Sequence, residues 1–517
     1  MSARGRPSSR ARTETRVGAT TVSRRYAGYA VVLLALINVL NYVDRSIIFV
    51  LFEPIKRDLS LSDTQLGWLG SAYVMVYALA AVPLGILSDL KSRRAVIATG
   101  VAFWSSFTAL GGLARAFGQL FFCRSMVGIG EASYTPAAQS LIADYFPGRG
   151  RALALGIFWG GLAMGGVLGI WVGGELENLY GWRAAFLAVG IPGFILAMLA
   201  AQLRDPARIR TQFPVLEQLR RFELGVWRVG KALWPIWSFT LLGAVGAYVA
   251  NHLRGSVDLD AAVFSAFVGL GLAVQLGLAV RQAVRQRHQP RAHHPRIAEL
   301  QHAAGLVLRT PTLAWLFIGG ALITFSMNGL VAWSPSYMQR ELGLTPAVVG
   351  RTIGLWGLFA GVLGTVFGGR LGDLLAERWA GGRVLAGSAG FLAGAPLALW
   401  LLHIEDLDLF IPVFFTTLFF FTWYHGPMTA AIFDVVPPQV GASVIGTYVF
   451  FTHIAGDAIA YPLVGSLSDR FGLRTAMLVL PTAAFLGGGL VLLALRTITE
   501  DQARVRSAAE PAASPSG

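Results

Sequence analysis

The sequence predicts an all-α membrane protein: two six-helix bundles plus an inserted two-helix hairpin, about 14 transmembrane helices in all. Three observations predict it. Charged residues make up 14% of the 517 and apolar residues 55%, against about 25% charged in an average soluble domain, so most of the surface faces something other than water. The apolar residues fall in runs of about 20, the length that crosses about 30 Å of hydrocarbon. Short patterns of the first half also return, in order, in the second.

Residues 1–25 form a polar, Arg-rich tail that reads as disordered, with arginines suited to anionic headgroups. No cleavage-site pattern follows it, so the first apolar run reads as a retained helix. The first bundle, 26–204, holds spans near 27–51, 64–88, 95–115, 118–143, 149–173 and 182–203. The linker, 205–310, contains two more, near 232–250 and 261–280. The second bundle, 311–496, holds spans near 311–338, 346–370, 383–403, 409–432, 441–466 and 473–496. Residues 497–517 are Ala/Pro/Ser-rich and read as a second disordered tail.

The net charge of +14 would suit nucleic acid, but the basic residues sit in short segments between apolar runs. With the N-terminus in the cytoplasm, about 31 Lys/Arg fall on cytoplasmic segments and about nine outside, the asymmetry of the positive-inside rule. Both termini are therefore expected in the cytoplasm and the chain in the cell (plasma or inner) membrane, with no nucleic-acid partner. The segment 434–439 departs from the rule, having no basic residue. Cys123 is the single cysteine, which excludes an intramolecular disulfide.

The repeat rests on three matches. Leu61–Gly67 (LSDTQLG) returns as Leu344–Gly350 (LTPAVVG), displaced by 283. Gly85-Ile86-Leu87-Ser88-Asp89 returns as Gly369-Arg370-Leu371-Gly372-Asp373, displaced by 284, and Gly181–Phe186 as Gly472–Met477, displaced by 291. A nearly constant offset implies duplication, and an even-numbered insertion between the halves keeps them parallel.

Charge inside a span costs about 2.5–3.5 kcal/mol on insertion scales and marks function by default. The first helix carries Asp44 and Arg45; the fourth carries Arg124 and Glu131, seven residues and about 10 Å apart on one face. Asn38, Asn41 and Asp44 step along the first helix at three-residue spacing and read as one polar face, set against the fourth helix across a cavity. This pattern suggests that Asp44 pairs with Arg124 when ionised, with Glu131 sharing the arginine or carrying the proton. A fixed salt-bridge network is the structural alternative. Arg45, about 100° round the helix from Asp44, is free to snorkel or cap a neighbour. After the second helix, Asp89, Lys91, Arg93 and Arg94 form a charged loop whose carboxylate can face a helix N-terminus.

The fifth helix carries Gly156, Gly160, Gly161, Gly165, Gly166 and Gly169, a pattern that permits close helix crossing. In the second half, His453 and Asp457 are spaced as a second polar cluster. The tenth core helix is aromatic from Phe410 to Tyr424 and His425; with Trp333 and Tyr337 it reads either as an apolar cavity wall or as lipid-facing bulk. His288, His293, His294 and His302 lie in the basic linker without Cys or acidic partners, so no metal site or cofactor is expected. The absence of His-Glu-x-x-His, a nucleophile elbow and a Walker loop argues against an enzyme.

Gly85-x-x-x-Asp89-x-x-x-Arg93-Arg94 resembles the signature loop of the major facilitator superfamily. More narrowly, the chain resembles the spinster family in Asn41-Tyr42-Val43-Asp44-Arg45, in Arg124–Tyr134 (RSMVGIGEASY), in Gly181–Phe186 (GWRAAF) and in His453–Asp457 (HIAGD). Organic-anion symporters of the superfamily have close variants of the Gly130-Glu131-Ala132 segment. The resemblance implies a secondary active, proton-coupled transporter of an amphipathic anion, of the lysophospholipid or sphingoid phosphate class, working by alternating access. It implies coupling or substrate roles for Asp44, Arg124 and Glu131, beside which Asn41, Arg45 and Tyr134 are further candidates for the same site, and a gating latch of Asp89, Arg93 and Arg94 with Asp373 as repeat counterpart. Expected partners are the substrate, protons and membrane lipids, for a monomer. A small organic-anion symporter of the same fold and a non-transporting membrane sensor or scaffold are the alternatives. The inserted hairpin and Asp434 depart from the family's pattern.

Overall fold

The apolar runs become long helices in a computed structural model that describes residues 23–90, 92–146, 150–205, 309–437 and 440–509, with a few scattered residues between 206 and 308. The 1–22 part of the N-terminal tail, Lys91 and most of the inserted hairpin lie outside the described residues, as do the side chains of Gly85 and Asp89. In order, the first half contains α1 (Arg24–Val50), α2 (Phe52–Leu59), α3 (Asp63–Leu90), α4 (Arg93–Gly111), α5 (Phe117–Tyr145), α6 (Arg151–Tyr180) and α7 (Trp182–Ala201). The second contains α8 (Pro311–Glu341), α9 (Pro346–Arg378), α10 (Gly382–Leu401), α11 (Leu407–Phe421), α12 (His425–Asp434), α13 (Gly441–Thr452), α14 (Ala458–Phe471), α15 (Leu473–Met477), α16 (Val479–Leu493) and α17 (Ile498–Ala509). Among the described residues there is no strand. Nine helical stretches there are long and apolar enough to cross a membrane by length and composition, and α3, α4 and α5 are comparably long at 28, 19 and 29 residues.

Local chemistry sets several boundaries. Ser23 caps α1 by accepting from the Tyr26 N–H, and Thr345 caps α9 with Pro346 in its first turn. The short α2, absent from the sequence reading, stops at Ser60, whose φ of 52° is left-handed. A π-turn, His453–Asp457, separates α13 from α14; such bulges occur mostly at functional positions. The sequence reading of 497–517 as wholly disordered is corrected at α17. Ile498 and Asp501 of α17 are buried, the Asp501 carboxylate accepts the Thr312 N–H (3.1 Å), and Gln502 donates to the Ala380 carbonyl (3.3 Å). The helix N-terminus of α8 offers free N–H groups, and Asp501 supplies the acceptor that composition could not reveal.

In the first half α1 packs on α6, and α5 on α3 and α4; in the second α16 packs on α8 and α10. The halves meet where α6 lies on α9 and α3 on α14. These two contacts are one contact repeated. A Cβ on Gly174 would overlap the Pro346 carbonyl, and one on Gly465 the Asp63 carbonyl. Gly465 is Gly174 displaced by 291, and Pro346 is Asp63 displaced by 283, the offsets already found in the repeat. Both helix pairs therefore close to backbone contact at glycine, as association without a hydrophobic drive requires. The fifth-span glycines divide: Gly161, Gly165 and Gly169 face the α1 backbone, while Gly156, Gly160 and Gly166 have open space.

Candidate functional site

The site begins with two consecutive residues of α1. Asp44 is buried, its Oδ1 3.1 Å from Arg124 Nη1 of α5, and the same Nη1 donates to the Asp44 backbone carbonyl at 3.1 Å. Thr108 of α4 donates to Asp44 Oδ2. Arg45, one residue on, turns the other way: its Nε is 2.7 Å from Glu131 Oε2, also of α5. Two neighbours on one helix thus hold two partners that lie seven residues apart on another. Glu131 does not share Arg124; its partner is Arg45. The Arg45 guanidinium lies over three tyrosine rings, Tyr42, Tyr73 and Tyr77, at 4.6, 4.9 and 4.7 Å from their centroids.

The expected single polar face on α1 divides among neighbours. Each three-residue step turns the direction by about 60°, so Asn38 and Asp44 point about 120° apart. The Asn38 amide donates to the Phe158 carbonyl of α6 (2.7 Å), whereas Asp44 faces α4 and α5. Asn41 is fully buried, and neither side-chain polar atom has a partner. Tyr134, also fully buried, donates to the Leu34 carbonyl and packs edge-on to Trp104, so it fastens α5 to α1.

In the second half, His453 Nδ1 lies 2.9 Å from Asp457 Oδ2, across the π-turn, and Asn328 of α8 donates to the same oxygen at 3.3 Å. Trp333 and Tyr337 are not cavity wall. Both are buried, with Trp333 Nε1 donating to the Tyr461 carbonyl and the Tyr337 hydroxyl to the Leu402 carbonyl; their polar atoms are occupied in the core. Tyr424 is half-buried and His425 exposed, their ring centroids 4.1 Å apart.

At the end of the bundle that carries the termini, Arg93 is enclosed. Its Nη2 is 2.6 Å from Asp144 and 2.9 Å from Asp205, and its backbone N–H donates to Asp205 at 2.7 Å. Arg94 reaches the Leu203 carbonyl at 3.5 Å. In the second half Arg383 takes the same place. Its Nη1 donates to both oxygens of Asp434 (2.7 Å), and its Nη2 is 3.2 Å from Asp373. Arg383 and Asp434 are Arg93 and Asp144 each displaced by 290, so Asp434 is the repeat of Asp144 and has its base on the neighbouring helix. The repeat was the signal for Asp144 and Arg383; nothing local pointed to Asp205 or Thr108.

At the opposite end the halves are tied together. Arg340 of α8 holds Asp63 with two hydrogen bonds, 2.7 and 2.6 Å, and Glu53 at 2.6 Å. Lys56 and Ser468 add to the Asp63 carboxylate. Asp469 of α14 accepts the N–H groups of Asp63 and Thr64, both at 2.8 Å, capping α3 from the other half. Burial alone would raise the Asp63 carboxyl, but Arg340, Lys56 and Ser468 bring it down to about 2. Arg351 and Glu175 form a second tie between α9 and α6, with Nη2 to Oε2 at 3.0 Å.

The sequence model of the Major Facilitator Superfamily matches residues 34–257 and 237–457. The chain belongs to the Major Facilitator Superfamily. It is therefore a multi-pass membrane transporter and not an enzyme. Within the superfamily it is similar to an MFS-type efflux pump of Mycolicibacterium smegmatis, 28% identical over 90% of this chain and 92% of that one. It is also similar to protein spinster of Drosophila melanogaster, 24% identical over 85% and 62%. Its fold matches the crystal structure of a bacterial homologue of the human lysosomal transporter Spinster in an inward-facing, unoccupied conformation, with TM-score 0.70, 21% identity and coverage of 93% and 99%. A spinster-like member of the superfamily accounts for both the motifs and the fold.

Proposed function

We propose that this transporter is a proton-coupled carrier of an amphipathic anion, of the lysophospholipid or sphingoid phosphate class. The observation that carries the reading is the buried Asp44–Arg124 pair, bonded through α1, α4 and α5. Protonation of Asp44 removes the charge that holds Arg124, and Arg124 turns to the anionic group of the substrate. Breaking one buried pair costs about 3–5 kcal/mol, enough to bias two arrangements of the halves. Glu131, held by Arg45, and the His453–Asp457 pair are second candidates for the proton. The half-buried aromatics Phe415, Phe419 and Tyr424 suit an acyl chain. The ties at Asp63 and Arg351 close one end, which is outward if both termini are cytoplasmic, so the arrangement corresponds to an inward-facing stage of alternating access. The Arg93 and Arg383 clusters, with Asp89 and Asp373, act as latches at the other end.

The same reading places the protein in the cell (plasma or inner) membrane as a monomer. Its core is two six-helix bundles, 26–204 and 311–496, with the inserted hairpin at about 232–280 bringing the count to 14. A small organic-anion symporter of the same fold and a non-transporting sensor or scaffold are the alternatives. Uptake of radiolabelled lysophospholipid into proteoliposomes, with and without a pH gradient, separates them. The wild type is expected to accumulate lysophospholipid only with the gradient, and Asp44→Asn to lose gradient dependence while keeping a folded thermal transition. Unchanged gradient-driven uptake in Asp44→Asn would overturn the switch. Uptake of small anions alone favours the first alternative, and no uptake or counterflow of either class the second.

A further inference from the structure

The closed end, opposite the termini, is made by two seams of the same build. α3 lies on α14 and α6 on α9 over a comparable extent. Each pair meets at glycine: Gly67 and Gly465 in one seam, Gly174 and Gly350 in the other, face backbone of the partner helix. Packing alone therefore gives no reason for one seam to yield before the other. Their polar ties do.

The α3–α14 seam is pinned at two depths. At its end, Asp469 of α14 accepts the N–H groups of Asp63 and Thr64 at 2.8 Å and the Thr64 hydroxyl at 2.6 Å. The Asp63 carboxylate, 3% exposed, takes two hydrogen bonds from Arg340 of α8 and one from Ser468 of α14. About two turns further along α3, the Ser71 hydroxyl donates to the Ala458 carbonyl at 2.7 Å. Among the described residues, the polar tie between α6 and α9 is the Arg351–Glu175 pair, with the Arg351 side chain 63% exposed. The duplication does not impose this difference. Arg340 is Arg57 displaced by 283, but Asp63 returns as Pro346, which has no carboxylate. Asp469 is Asn178 displaced by 291; Asn178 is exposed, and Thr345 caps α9 from its own half.

We infer that the closed end opens on a hinge rather than symmetrically: α6 and α9 part, while α3 and α14 stay joined at Asp63, Ser71 and Asp469. Parting α6 from α9 breaks a pair that water already screens, and exposed pairs of this kind contribute little. Parting α3 from α14 strips a buried carboxylate of its partners, the state that makes breaking a buried pair costly. It also leaves the first N–H groups of α3 without their acceptor. The motion follows the seam that costs less, and the tied seam serves as the hinge. The path from that end to Asp44 and Arg124 then widens on the α6–α9 side. This inference rests on the alternating-access reading and adds the direction in which the halves move.

The test uses the full chain with Cys123→Ala, so that only introduced cysteines react. Spin labels at Asn178 and Val348 report on α6–α9, and labels at Gln65 and Arg470 on α3–α14; these positions carry none of the ties named above. In nanodiscs, Arg351→Ala is expected to enlarge a longer-distance population of the 178–348 pair at least about twofold and to leave the 65–470 distances unchanged. Lengthening at 65–470, equal lengthening at both pairs, or no change at either overturns the inference, and none of these outcomes depends on a substrate. A second measurement bridges each cysteine pair with a short bis-methanethiosulfonate reagent and compares lysophospholipid uptake with that of its own reduced form. The 65–470 bridge is expected to leave uptake within about twofold, and the 178–348 bridge to cut it at least about tenfold. Inhibition by the 65–470 bridge, or by neither bridge, overturns the hinge. Reduced forms that take up no lysophospholipid count against the substrate reading alone, and the distances still decide the hinge.

Discussion

Asp44 of α1 is held by two other helices, α4 and α5, and its Thr108 contact was invisible in the sequence because a threonine in an apolar helix usually bonds its own helix backbone, as Thr99 does with the Ala95 carbonyl. Replacing Thr108 by Val keeps the shape and removes the donor to Asp44 Oδ2. A loss of about 1–3 kcal/mol is expected, measured as a lower thermal midpoint of the purified protein. Arg93 and Arg383 make a second residue-scale comparison. Arg93 is enclosed by two carboxylates and the Ser140 carbonyl, with 1% of its side chain exposed; Arg383 keeps 27%. Arg93→Ala is expected to cost about 1–3 kcal/mol, because it removes an enclosed side chain and the donor to the Ser140 carbonyl, and Arg383→Ala about 1 kcal/mol or less, because water screens its pairs. Thermal unfolding of the two variants side by side checks the order.

At the scale of elements, composition located the helices and packing assigned their faces. The glycines of α6 are all alike in the sequence, yet only one set meets α1, where a Cβ at Gly169 would collide with the Val43 backbone and Ser46. Gly169→Leu is expected to lose at least about 1–3 kcal/mol through forced separation of α1 and α6, while Gly166→Leu leaves the thermal midpoint within the error of the wild type. α17 shows the opposite limit of composition. Its Ala/Arg/Glu content suits helix as well as coil, and the deciding contact is with Thr312, about 190 residues earlier in the chain. Asp501→Ala removes that cap and is expected to cost about 0.5–2 kcal/mol, with earlier proteolytic clipping of the C-terminal segment as the readout.

For the whole molecule, the closed end depends on charges that belong to different halves. Asp63 has its carboxyl lowered to about 2, so its contribution is complete above about pH 4, the ordinary carboxylate range, and is lost only as the pH falls toward 2. Closure at this end is therefore expected to be insensitive to pH between about 5 and 8. Asp63→Asn removes the charge at every pH and leaves Arg340 with Glu53 alone among its carboxylates. Maleimide labelling of a cysteine placed at Gln339 is expected to rise several-fold in Asp63→Asn and to stay flat across pH 5–8 in the wild type. Labelling that rises in the wild type over that range would assign the closure to another titrating group.

The sequence by itself determined that the protein lives in a membrane, where its apolar runs lie, that its two halves repeat, and which few charges are buried within the spans. These are properties of periodicity and composition along one chain, and hydrocarbon punishes exceptions to them strongly. It did not determine who pairs with whom. Asp44 and Arg45 are adjacent in the chain but diverge by about 100° on the helix, so one finds Arg124 and Thr108 while the other finds Glu131 and three tyrosines. Asp434 looked out of place until α10 brought Arg383 to it. Trp333 and Tyr337 read as cavity wall or as lipid-facing bulk until their neighbours' carbonyls enclosed them. The tertiary structure decided these matters because a pairing depends on the rotation and depth of two helices together, and no single helix carries that information.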